Sequence, residues 1–169
     1  MLINMIGFNV AWFGLIFLGN SFVPVAILML IAHFKWLSKS KNEITLVVIV
    51  TLIGISVDSL FQLTNVFIFP HHNHIPVWLA FIWIGFATTI SHSLSFLAAY
   101  KPLQILLGFI VAPLSYKSGE VLGAVEFGYS YLTTHLILGT TWALLLLLFF
   151  SIKARFDNNV IGNKEVNYD

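Results

Sequence analysis

A polar stripe runs along the third apolar stretch of the sequence. Thr51, Asp58, Gln62 and Asn65 follow one another at steps of seven, four and three residues, so a helix would place them on one face. A carboxyl group deep in an apolar helix is costly to keep, and such groups are candidates for function. The stripe predicts either a catalytic or proton-transferring Asp58 or a structural tie between helices, with the Gln62 amide in reach of the carboxyl.

Two histidines are further candidates for acid–base catalysis. His92 lies among hydroxyl residues of the fourth apolar stretch, including Thr88 and Ser91. These hydroxyls can hold the ring as a structural group or orient it for proton transfer. His135 lies in the sixth apolar stretch at a depth similar to that of Asp58, and a contact between these two side chains is therefore a hypothesis that a structure can test.

The segment 112–126 combines helix-breaking and polar residues. Pro113 predicts an interrupted helix, and the glycines that follow permit close approach of the backbone. Irregular backbone at membrane depth occurs where it lines a cavity or is buried in protein. The segment therefore predicts either a re-entrant wall of a binding pocket or an ordinary outer loop. The candidate ligand-binding residues are Tyr116, Glu120 and Glu126 here, with Gln62 and Asn65 from the third stretch.

No metal site or cofactor is predicted. His71, His72 and His74 are imidazoles of the type that binds zinc or copper, but their spacing fixes no geometry and no acidic residue lies near them in sequence. The chain has no Cys, so it can form neither disulfides nor thiolate sites. Nucleotide-binding and common hydrolase motifs are also missing.

The composition explains where these residues must lie. Of the 169 residues, 59% are hydrophobic and 9% are charged, the formal net charge is +1, and the mean hydropathy is +0.93. These values exclude a soluble domain, a disordered chain and a nucleic-acid-binding protein. They predict an all-α, polytopic transmembrane bundle. About six spans are expected, at residues 2–18, 22–37, 44–69, 77–99, 103–116 and 130–152.

The cationic residues predict the orientation. With six spans and a cytoplasmic N-terminus, seven of the eight Lys and Arg residues face the cytoplasm and only Lys117 faces outward. A re-entrant 103–116 would instead place the last three cations outside. We therefore expect both termini in the cytoplasm, a transmembrane domain at 1–152, a polar cytoplasmic tail at 153–169, and location in a bacterial inner membrane.

Several motifs resemble those of a family of small bacterial inner-membrane proteins that is classed as a domain of unknown function. The resemblance covers residues 2 to about 152, and its most specific segment, Pro-Leu-Ser-Tyr, follows Ala112 where members often have Gly. The family has no established activity, so the resemblance assigns no catalytic residue. Its members are often encoded beside enzymes that modify unsaturated fatty acids and beside photooxidative-stress proteins, which implies a lipid-related role. The motifs are Asn9 with Trp12, Val57-Asp58-Ser59, Pro76-Val77-Trp78-Leu79, Trp83-Ile84-Gly85-Phe86-Ala87, Ala112-Pro113-Leu114-Ser115-Tyr116, Gly119 and Leu122-Gly123-Ala124.

Three functions are compatible with this pattern. The first is a membrane-embedded factor that acts on or presents a lipid or fatty-acyl substrate at a polar site, with Asp58 or His135 as acid or base. The second is a small transporter, proton-coupled through Asp58. The third is a structural or assembly partner of another membrane protein, or a homo-oligomer. Membrane lipids are the partners expected for the first, and a pocket that opens sideways to the acyl chains would distinguish it.

Overall fold

The computed structural model describes residues 1–38, 40–70 and 73–165, with side chains as far as residue 158. Within these ranges the chain is almost entirely helical, which confirms the all-α prediction. His71 and His72 lie outside the described residues, as do the last four residues of the predicted tail. The helices are α1 (Leu2–Leu18), α2 (Val23–Trp36), α3 (Lys41–Leu63), α4 (Val77–Ser91), α5 (Lys101–Val121) and α6 (Tyr131–Glu165), with 3-10 helices at Gly19–Phe22 and Ser95–Ala99.

Three stretches of this chain are long and apolar enough to cross a membrane, namely Leu2–Trp36, Lys41–Leu63 and Tyr131–Asn158. The first stretch consists of two helices, α1 and α2. The chain reverses between them at Gly19, whose φ of 54° is a left-handed value that glycine adopts readily. Gly14 then faces the ring of Phe22, and Gly7 faces Met29. The small residues of α1 are thus used for packing within the chain.

The helix boundaries correct several predictions. The third helix begins earlier and ends earlier than the predicted 44–69, so Asn65 lies beyond its C-terminus with a φ of 57°. The fourth ends at Ser91 and continues as a turn and a 3-10 helix instead of running to residue 99. The sixth continues past residue 152 into the predicted polar tail.

Pro113 does not interrupt α5, which corrects the prediction of irregular structure from this residue onward. A proline has no N–H to donate to the carbonyl four residues earlier in a helix. In α5 this is the carbonyl of Phe109. This carbonyl lies against Gly139 of α6, where an added Cβ would come within 2.7 Å of the Phe109 oxygen. Because Gly139 has no side chain, α6 packs directly on the part of α5 that Pro113 perturbs, and the helix continues to Val121.

A short antiparallel ladder, which the sequence analysis did not predict, joins the α3–α4 and α5–α6 connections. Strand β1 (Phe67–Ile68) pairs with β2 (Glu126–Phe127), with Phe67 opposite Phe127. The Tyr129 hydroxyl donates a hydrogen bond to the Thr64 carbonyl at 3.2 Å beside this ladder. The segment 112–126 is therefore helical as far as Val121 and continues as a turn and a strand.

The opposite end of the bundle is formed by the end of α2, the start of α3, the end of α4 and the far part of α6. The Asn42 amide donates a hydrogen bond to the Phe156 carbonyl at 3.3 Å, and the Phe156 side chain packs against the core. Along the bundle, α3 and α1 both pack on α4, while α5 packs mainly on α6. The first residues of the predicted tail thus contribute to the packing of this end.

Replacement of Gly108 by Ala should destabilise the bundle. A Cβ at Gly108 would lie 2.6 Å from the Trp142 carbonyl oxygen, so α5 and α6 must move apart. We expect a loss of about 1–3 kcal/mol in unfolding free energy, measured by denaturation of the purified protein in detergent micelles. Gly7→Ala is the control, because its nearest neighbour is the flexible end of Met29 at 4.0 Å. Equal stability of the two variants would contradict the packing described.

Candidate functional site

Asp58 of α3 is fully buried and is bonded by side chains from two other helices. The Trp83 indole N–H of α4 donates to Asp58 Oδ2 at 2.6 Å. The Tyr116 hydroxyl of α5 lies 3.1 Å from Oδ1 and 3.3 Å from Oδ2. Both carboxylate oxygens therefore have donors, and one fully buried side chain connects three helices.

Packing fixes the two donors in place. Gly54 lies one turn before Asp58, and an added Cβ there would come within 2.1 Å of the Trp83 ring, so the indole rests directly on the α3 backbone. The indole also stacks on Trp142 of α6, with ring centroids 5.0 Å apart and an interplanar angle of 6°. The Tyr116 ring stacks on Phe67 at 4.9 Å. The orientation of both donors is thus set by rigid aromatic contacts.

Trp83 and Tyr116 also form part of the wall of a cavity of about 450 Å³. Residues of α1, α4, α5, α6 and the second 3-10 helix line this cavity, and most of them are apolar. Its few polar side chains include Asn9, Thr89 and Ser115. Asp58 does not line it, so the carboxyl lies behind the two aromatic donors and acts on the cavity only through them.

The cavity opens on the side of the bundle. It lies between the α1–α4 pair and the α5–α6 pair, and it is only partly enclosed. Most of the exposed residues in its lining are apolar, with Met5 of α1 at 47%, Phe96 of the 3-10 helix at 50% and Val111 of α5 at 52%, and Asn9 of α1 is the exposed polar one. An apolar ligand can therefore reach the cavity between mostly apolar side chains.

His92, which follows α4, forms a second polar cluster with His33 and Glu43. Nε2 of His33 lies 3.0 Å from Glu43 Oε1, and Nε2 of His92 lies 2.7 Å from the same oxygen. The sequence analysis missed His33 and Glu43. Glu43 follows Ser40 at the spacing of a helix N-terminal capping box, a pattern that indicates a helix start and would not have suggested a site.

The turn that carries His92 is held by α1. The Asn4 side-chain oxygen accepts hydrogen bonds from the Ser93 backbone N–H at 3.3 Å and from the Ser93 hydroxyl at 2.8 Å. The Asn4 amide donates to the Thr88 hydroxyl at 3.0 Å. Asn4 thus supplies an acceptor to the backbone N–H of Ser93 in the turn after α4, and it fixes the backbone from which His92 projects.

Comparison with known proteins identifies a family. A family model described as a protein of unknown function, DUF2878, matches residues 1–148. The chain belongs to the DUF2878 family. This confirms the resemblance drawn from the sequence motifs, and the family description names no activity. No curated protein and no solved structure matches this DUF2878 protein, so its site is described from its own geometry.

Two of the site residues predicted from sequence, Asp58 and Tyr116, are joined by a hydrogen bond in this DUF2878 protein. His135 does not meet Asp58 as hypothesised, because its ring packs against Phe109 and Tyr131. The remaining candidates lie towards the end of the bundle that carries the strands. Gln62 is half-buried near the end of α3, Asn65 is exposed, Glu120 forms an ion pair with Lys117, and Glu126 is exposed in β2.

Removal of the Tyr116 hydroxyl should destabilise this DUF2878 protein. Tyr116→Phe keeps the ring on Phe67 but leaves the buried Asp58 carboxyl with one fewer donor, so we expect a loss of about 1–3 kcal/mol in unfolding free energy. Tyr131→Phe is the matched control, because the Tyr131 side chain is 47% exposed and its ring contacts His135 and Lys117. Denaturation in detergent measures both variants. Unchanged stability of Tyr116→Phe would show that the hydroxyl is not a partner of Asp58.

Proposed function

We propose that this DUF2878 protein binds the acyl chain of a lipid in the cavity between α1 and α5, inside a membrane that all six helices cross. The observation that carries the proposal is the lateral opening of an apolar cavity between exposed apolar residues. Its volume of about 450 Å³ lies within the range of ligand pockets, about 300–1,000 Å³. The protein presents or acts on an acyl substrate in this proposal, and membrane lipids are its partners.

The distribution of cations supports the membrane topology. Among the described side chains, Lys117 lies at the end of the bundle that carries the strands. The others lie at the opposite end, and they are Lys35, Lys41, Lys101, Lys153 and Arg155. Because cytoplasmic loops are rich in Lys and Arg, we place this second end, with both termini, in the cytoplasm of a bacterial cell.

The absence of Cys from the sequence permits a direct test of this topology. Asn73→Cys lies at the strand end of the bundle and Lys101→Cys at the opposite end, and both positions are exposed. In intact spheroplasts a membrane-impermeant maleimide should label the first variant, and it should label the second only after permeabilisation. Labelling of both positions in intact spheroplasts would contradict six alternating spans.

Two features favour acyl binding over a proton-coupled transporter. The Asp58 carboxyl is fully buried and holds donors on both oxygens, so it has no free face toward a water path. The lining of the cavity is mostly apolar, which suits methylene groups and gives little to coordinate a polar solute. The hydroxyls of Ser115 and Tyr116 provide a small polar surface for a carbonyl or an unsaturated bond.

Filling the cavity should weaken acyl binding. Ala112 lines the cavity on α5, so Ala112→Phe places a ring in the space for the chain. We expect photocrosslinking of a diazirine-labelled fatty acid in nanodiscs to fall by about tenfold, equivalent to about 1.4 kcal/mol. In the unmodified protein, the crosslinked residues should lie on the faces of α1 and α5 that line the cavity.

Leu114→Phe provides the control for this experiment. Leu114 lies two residues further along α5, is 48% exposed and does not line the cavity. It should retain the crosslinking of the unmodified protein, and an excess of unlabelled fatty acid should compete. Equal crosslinking in both variants, spread over the outer faces of the helices, would show contact with bulk lipid only and would rule out a binding cavity.

A further inference from the structure

We propose that His33, Glu43 and His92 bind one divalent transition-metal ion of the zinc or iron(II) class. One ligand atom from each of these side chains, a ring nitrogen of each histidine and a carboxylate oxygen of Glu43, lies within 4.8 Å of the other two. This set is the one group of three or more such ligands among the residues that the structure describes. The proposal rests on this cluster alone and does not depend on acyl binding in the cavity.

The distances suit a metal ion. The two nitrogens lie 3.0 and 2.7 Å from the same carboxylate oxygen, and the two rings are perpendicular with centroids 4.9 Å apart. Metal–ligand bonds of about 2.0–2.2 Å in a tetrahedral site separate the ligand atoms by about 3.4 Å. Small side-chain rotations are therefore enough to place an ion between the three ligands.

Each ligand comes from a different part of the fold that is already fixed. His33 lies in the last turn of α2, Glu43 in the first turn of α3, and His92 at the C-terminus of α4. Asn4 holds the turn after His92. Ligands positioned on rigid elements before the metal arrives lose little freedom when it binds, which favours affinity.

Burial and charge also favour an ion. The relative exposure of His33 is 7% and that of Glu43 is 8%, so both groups are withdrawn from solvent. A buried carboxylate needs a compensating positive charge or several hydrogen bonds. Side-chain hydrogen bonds from His33, Ser38 and His92 already stabilise the Glu43 carboxylate, and a dication held by the two histidines and Glu43 would add a full compensating charge. Lys153, the cation beside this cluster, is paired with Asp157 at 2.6 Å.

A groove gives access to the cluster from the cationic end of the bundle. Its volume is about 340 Å³ and its lining includes Glu43, Asn42 and Ser91. Three protein ligands leave coordination positions for water or a small ligand, as in catalytic rather than structural metal sites. Two histidines and one carboxylate are also the ligand set of non-haem iron(II) sites. The site would therefore be reactive and open to the cytoplasmic side.

Metal binding by the unmodified full-length protein is the first test. Protein purified in detergent, stripped with a chelator and dialysed against zinc or, without oxygen, iron(II) should retain one ion per chain by elemental analysis. X-ray absorption should show two imidazoles and oxygen ligands, and thermal unfolding should shift upward in the presence of the ion. No retained metal, or a coordination sphere without imidazole, would overturn the proposal.

Substitutions then locate the site. His33→Ala, Glu43→Gln and His92→Ala should each weaken binding by at least about tenfold. His135→Ala should have no effect, nor should a variant with Ala at His71, His72 and His74, and these variants exclude the other histidines. The cobalt(II) visible spectrum reports the ligands of any variant that remains folded by circular dichroism. Binding that survives all three single substitutions, or that is lost in the loop-histidine variant, would show that the ion binds elsewhere.

Discussion

The structure depends on the hydrogen bonding of one buried carboxyl group. Asp58 is fully buried, so its oxygens must find donors in the protein. Trp83 and Tyr116 supply them, and they come from helices far apart in sequence. The bonds therefore fix both the mutual position of α3, α4 and α5 and the orientation of the two rings. Because the same rings form part of the cavity wall, the carboxyl sets the shape of a site that it does not itself enter.

The two polar regions of the protein have different surroundings. Asp58 is enclosed by aromatic rings in the centre of the bundle, whereas Glu43 lies at the end where the cations gather and is reached by a groove. The broken end of α4 lies between them: Ser93 lines the cavity, and His92, its neighbour, contacts Glu43. Asn4 holds this turn from α1. A ligand seated in the cavity and a metal at the cluster would thus share one short segment of backbone.

Sequence reasoning predicted the apolar helices and the importance of Asp58, because hydropathy and periodicity are local properties of the chain. It failed where contacts between residues that are distant in sequence determine the local structure or form a site. Pro113 suggested a break, but Gly139 allows α6 to pack on the perturbed turn, and α5 continues. The strands at Phe67 and Glu126 are too short for a period of two to show. His33 and Glu43 lie in separate helices, and they form a candidate site only because the fold brings them together with His92. Tyr116 was a candidate, although nothing in its neighbourhood indicated that Asp58 was its partner.

The central claim is that the opening between α1 and α5 holds an acyl chain above the Trp83–Tyr116 wall. A high-resolution electron cryomicroscopy structure of the protein in nanodiscs of native lipid tests it most directly, with a bound antibody fragment to provide the necessary size. We expect continuous elongated density that enters beside Val111 and ends near Tyr116. A cavity closed by contact between α1 and α5, or filled by water that reaches Asp58, would contradict it.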